Sequence, residues 1–147
     1  MEHIHTVEFT VEGEPKGKGR PRFTKAGHAY TPKATKEYEL RIRQACWRAM
    51  AEQKIERTDR DVHVEIFAHM PVPKSWTARQ KALAHAGVTR PRRPDLDNVL
   101  KAVLDGANGI AYDDDAQVHS IRARKRYVFI GERPCLFVKM SWSAEQA

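Results

Sequence analysis

Apolar and polar residues alternate at three places along the chain, and a period of two predicts β-strands. Residues 6–11 put Val7, Phe9 and Val11 on one face, and residues 61–70 do the same with Val62, Val64, Ile66 and Ala68. After Pro134, Leu136, Val138, Met140 and Trp142 alternate with Phe137 and Lys139. Residues 117–130 predict a fourth strand with a basic face at Arg122, Arg124 and Arg126. Helical spacing takes over elsewhere. Tyr38, Ile42, Ala45 and Ala49 trace a stripe on a helix running from Lys33 to about Ile55, with Thr31-Pro32 at its start. Ser75 is placed to cap a short helix through about His85. Leu96, Val99, Leu100, Val103 and Leu104 make one apolar stripe on a helix over residues 95–106, which Gly106, Asn108 and Gly109 should end. The order β-α-β-α-α-β-β predicts a mixed α/β (α+β) fold: a mixed sheet packed by helices in one small domain over residues 1–147.

Residues 13–23 fit neither period. Pro21 and three glycines argue against helix, and Lys16, Lys18, Arg20 and Arg22 recur at every second position. This is an extended basic arm. A second basic loop, with Arg90, Arg92 and Arg93 broken by prolines, leads into the helix at 95.

Composition narrows the class. With 147 residues, 41% hydrophobic and 31% charged, the chain is expected to be a soluble globular protein with a single core. It has no apolar run long enough to span a membrane and no secretory signal pattern, so a cytoplasmic location without membrane contact is expected. Cys46 and Cys135 lie far apart without metal-ligand spacing, and are expected as reduced thiols. The seven histidines are scattered, and Trp47, Trp76 and Trp142 are expected in the core or at an interface.

The net charge of +7 favours a polyanionic partner, nucleic acid first. Its distribution says more. Residues 95–115 carry six Asp and one Lys, a local charge of −5 that leaves +12 on the rest of the chain. Such an acidic island costs free energy unless a cation or basic neighbours offset it.

Taken singly, each acid has an ordinary explanation. Asp95 and Asp97 flank a helix start, where carboxylates cap and complement the helix dipole. Asp113, Asp114 and Asp115 resemble a solvated turn. Lys101 is an i, i+4 partner for Asp97. Taken together, they are hard oxygen ligands around one short helix, the donor set that Mg2+ prefers. Lys101 then becomes a cation able to stabilise a phosphate under attack. An extended return of ten residues from the helix end could bring the acidic turn back to Asp95 and Asp97. A longer helix would favour a site shared by two subunits.

The segment PDLDNVLKAVLDGANGIAYDDDAQV, residues 94–118, resembles the core motif of the RusA family of Holliday-junction resolvases, especially its phage and prophage versions. GEPKGKGRPRF and MPVPKSW support the likeness. The resemblance implies a small α/β homodimer that binds branched DNA, four-way junctions, and resolves them by paired symmetric nicks in DNA recombination and repair. It implies Mg2+, with Mn2+ as a substitute, and no other protein partner. Carried over by motif, Asp95, Asp97 and Asp115 are the catalytic and metal-binding carboxylates and Lys101 the important lysine. Asn98 would support the site through hydrogen bonds, Asp114 is the neighbouring acid, and Asp113 is extra in this chain. Lys16, Lys18, Arg20, Arg22, Arg92, Arg93, Arg122 and Arg124 are expected to hold DNA phosphates. Two rivals remain: a DNA-binding module with an inactive acidic site, and a nuclease of flaps, forks or other branched DNA.

Overall fold

The computed structural model describes residues 3–144. Four long strands form one sheet: β1 (Ile4–Glu12), β4 (Val62–Met70), β5 (Val118–Tyr127) and β6 (Cys135–Ser143). Two short ones, β2 (Arg22–Phe23) and β3 (Ala29–Tyr30), pair as a small hairpin at the end of the basic arm, which the sequence did not predict. The helices are α1 (Lys33–Glu52), α2 (Ala78–His85) and α3 (Leu96–Ala107).

The sheet order is β1-β6-β4-β5. β6 runs antiparallel to both β1 and β4, whereas β4 and β5 are parallel. A parallel pair needs a long crossover, and residues 71–117, with α2 and α3, provide it. The expected mixed sheet is therefore present. The last strand, β6, lies between two neighbours and offers no free edge.

Alternation decides which face is buried. Val7, Phe9, Val11, Val62, Val64, Ile66, Leu136, Val138 and Met140 point to one side and are almost fully buried. There they meet Tyr38, Ile42 and Cys46 of α1 and Val99, Ala102 and Val103 of α3 in one cluster. Each fully buried side chain of this size stabilises the fold by about 1.5–3 kcal/mol. The opposite sheet face carries half-buried Glu65, Phe67, Phe137 and Lys139.

Two sequence assignments shift. The N-cap of α2 is Thr77, not Ser75: Thr77 and Gln80 exchange side-chain and backbone hydrogen bonds in a capping box. Gly106 does not end α3. It lies inside the helix, where an added Cβ would sit 2.6 Å from Ile42, so glycine is there to let α1 and α3 approach closely. The chain turns at Gly109, with φ of +80°.

The two sheet edges are treated differently. Along β1, the Gln53 side chain accepts from the Glu8 N–H at 3.4 Å and donates to the Glu8 carbonyl at 2.9 Å, while Arg41 donates to the Glu12 carbonyl. β5 forms the other edge, beyond which no further strand pairs among the described residues.

Candidate active site on helix α3

The N-terminal end of α3 presents two free carboxylates. Asp95 occupies the N-cap position with extended backbone, and its carbonyl accepts from the Asn98 and Val99 N–H groups at 3.1 and 3.2 Å. Its side chain makes no capping hydrogen bond. The capping explanation of Asp95 therefore does not hold, and its carboxylate is left exposed. Asp97 is exposed in the first turn. Lys101, also exposed, makes no ion pair with Asp97 among the described residues.

Backbone contacts hold this end in place. Lys125 on β5 donates to the Arg92 and Pro94 carbonyls at 2.8 and 3.0 Å, pinning the segment that enters α3. On the other side the basic arm lies against the helix: the Lys18 N–H donates to the Asn98 carbonyl at 2.8 Å. Gly17 permits this, because a Cβ there would stand 2.8 Å from Asn98 Cβ.

The C-terminal end is acidic too, but two of its acids are engaged in ion pairs. Asp105, in the last turns of α3, takes an ion pair from Lys18, which also stands 3.5 Å from Glu39 of α1. The hydrogen bond that Lys18 donates to Asp105 is the main cause holding the Lys18 pKa above its ordinary value. Asp113 pairs with Arg57 at 2.8 Å. Gln117 organises the acidic turn: its Oε1 accepts from the Asp113 and Asp114 N–H groups at 2.8 and 2.9 Å. Its Nε2 donates to the Thr58 and Arg60 carbonyls at 2.9 and 2.8 Å. Fully buried Tyr112 donates its hydroxyl to the Leu104 carbonyl at 2.6 Å and ties the turn to α3. Partial desolvation, then the charge and hydrogen bond of Asp114, then Asp105, raise the Asp115 carboxyl above its ordinary pKa.

The acidic turn thus stays at the C-terminal end. Asp97 and Asp105 are separated by about 12 Å along a helix axis, and Asp115 has Asp105 as an electrostatic neighbour. Among the described residues no three His, Cys, Asp or Glu side chains come together to hold a metal ion. Asp95, Asp97 and Asp115 are therefore not gathered into one such cluster within the described chain. The expected return of the turn to Asp95 and Asp97 fails because Tyr112, Gln117 and Arg57 anchor it elsewhere.

The expected DNA-facing cations also divide. Lys16, Arg20 and Arg22 on the arm, and Arg92 and Arg93 beside Asp95, are exposed. Lys18 is turned inward to Asp105 and Glu39 and serves as the arm's anchor. Arg122 and Arg124 stand in register with Glu65 and Phe67, on the sheet face away from α3, and Arg122 lies 3.8 Å from Glu65. Arg126 is held by both oxygens of Glu132, whose pKa it pulls down to about 2. Sequence reasoning missed Gln117 and Lys125 as positioning groups. Gln117 was visible in the motif directly after the acids, but nothing local marked Lys125.

A basic protein with free carboxylates at a helix start is the outline of a phosphodiester-cleaving protein, and comparison with known proteins agrees. The chain matches Endodeoxyribonuclease RusA over residues 12–141. It is also 32% identical, over 127 residues, to the uncharacterized protein YqaN of Bacillus subtilis (strain 168), covering 82% of this chain and 87% of that relative. This chain belongs to the RusA endodeoxyribonuclease family. No helix among the described residues is long and apolar enough to cross a membrane.

Proposed function

We propose that the protein is a Mg2+-dependent endonuclease that resolves four-way DNA junctions by paired nicks, with a role in DNA recombination and repair. The observation that carries this reading is the free Asp95. It stands where a carboxylate would ordinarily cap α3, makes no cap bond, and sits beside Arg92 and Arg93, with Asp97 in the first turn and Lys101 one turn further on. Lys101 is the group to offset charge developing on a phosphate oxygen. Lys16, Arg20, Arg22, Arg92 and Arg93 hold flanking phosphates, so binding weakens steeply with salt. Arg122 and Arg124 reach only DNA that wraps the β5 edge.

The working form in this reading is a homodimer with shared sites. A two-fold axis crossing α3 near its middle exchanges the helix ends, bringing Asp95 and Asp97 of one copy to Asp115 of the other. Helices pack with axes about 8–10 Å apart, close enough for carboxylates on facing turns to meet. An apolar groove next to the acidic turn supports association: Leu40 and Trp47 are 52% and 65% exposed beside Ile110.

Purified protein with Mg2+ or Mn2+ should nick a synthetic junction in two symmetric strands, and Asp97→Asn should stop nicking while junction binding remains. Junction binding without cutting in either metal leaves the inactive DNA-binding module. Preference for flaps or forks leaves the wider branched-DNA nuclease. Mixing inactive Asp97→Asn and Asp115→Asn chains tests sharing: heterodimers regain one intact site and make single, unpaired nicks. No recovery on mixing, with the wild type active, rules out shared sites alone.

A further inference from the structure

A pocket of about 450 Å3 opens beside the segment that leads into α3, lined by Trp76, Tyr127, Arg92, Arg93, Pro91 and Glu14. Its volume falls in the range of about 300–1,000 Å3 typical of small-ligand sites. Trp76, expected from sequence to be a core or interface residue, is half-buried at this pocket. Its ring meets Tyr127 edge to face, with centroids 5.4 Å apart and planes at 69°. That contact uses one ring face and leaves others open to a third flat group. Arg92 and Arg93 are exposed at the rim, and Asp95 follows two residues after Arg93.

We infer that this pocket receives an unstacked nucleobase from next to the branch point of bound DNA. Trp76 and Tyr127 lie against the base, and Arg92 and Arg93 hold the phosphates on either side of it. The assignment rests on the branched-DNA reading above. Three features favour a base over other occupants. Flat aromatic walls suit the π-face that every base presents. Glu14 repels a phosphate but accepts from base N–H groups, so the base and not the backbone turns inward. A branch point interrupts stacking, which lowers the cost of taking a base out of the helix. The same Lys125 that pins the Arg92 and Pro94 carbonyls links the pocket to the position of Asp95.

Junctions carrying 5-iodouracil at successive positions, bound to wild-type protein without divalent cation and irradiated, test this directly. Cross-links to Trp76 or Tyr127 should form from a nucleotide at the branch and not from positions deep in the arms. Trp76→Ala should weaken junction binding by about 5- to 150-fold, the range that loss of one stacked base implies. Linear duplex binding should stay unchanged, and Trp76→Phe should restore most of the loss. Cross-links mapping away from the pocket, or folded Trp76→Ala and Tyr127→Ala proteins that hold junctions as tightly as wild type, overturn the inference. Continued junction nicking in that case leaves the nuclease reading standing. A wild type that holds no branched DNA overturns both.

Discussion

The two ends of α3 are both acidic, yet they are built in opposite ways. At the N-terminal end Asp95 and Asp97 have no side-chain partners among the described residues, and the main chain around them is held instead, by Lys125 on one side and the Lys18 N–H on the other. At the C-terminal end the side chains themselves are engaged: Asp105 with Lys18 and Asp113 with Arg57, while Gln117 gathers the turn. An acid meant for structure finds a partner within the chain. An acid fixed through its backbone and left unpaired is available to something outside it. Asp115, at the C-terminal end, hydrogen-bonds with Asp114 and has a raised proton affinity.

The contrast can be broken most sharply at Asp95. Asp95→Ala removes no cap bond, so thermal stability should stay within about 0.5 kcal/mol of wild type. Nicking should fall by about 10²–10³-fold, the scale of losing one group that acts on the transition state. A marked drop in melting temperature would show that Asp95 caps the helix after all. Gln117→Ala should do the reverse. It deletes four hydrogen bonds, each worth about 0.5–1.5 kcal/mol net, and a loss of about 2–3 kcal/mol should appear in denaturant unfolding. Lys125→Met leaves two carbonyls near Asp95 without their donor. Nicking should fall by roughly tenfold, equivalent to about 1.4 kcal/mol, through weaker metal dependence rather than weaker DNA binding.

Much of the fold was legible because burial imposes strong periods. Val62, Val64 and Ile66 could alternate only if one sheet face is sealed, and the stripe on α3 required a helix against it. Long-range placement was not legible. Sequence spacing allowed the acidic turn to return to Asp95, since nothing local states that Tyr112 will reach the Leu104 carbonyl or Arg57 will take Asp113. Gly106 looked like a terminator because its real constraint, Ile42, comes from another helix. Lys18 looked like its neighbours in the arm until Asp105 and Glu39 were brought to it.

The smallest expected effect concerns protons. The folded Asp115 carboxyl has a raised pKa, so the native state binds more protons than the unfolded chain just above the ordinary Asp value. Its contribution to stability is therefore lost as pH rises through that window. A cation at Asp115 reverses the preference and must displace the proton. Metal affinity, followed by calorimetry, should weaken as pH falls through the raised pKa, and Asp115→Asn should flatten that dependence.

Gln53 acts as a one-residue strand on β1, satisfying the Glu8 N–H and carbonyl that another chain would otherwise use. The sheet can therefore serve as a template for growth only along β5. There a second copy would set its own Arg122, Arg124 and Lys125 against their equals, so like charge guards the exposed edge against self-association. A polyanion meets no such opposition, and the feature that keeps copies from stacking into fibrils leaves the same edge open to nucleic acid.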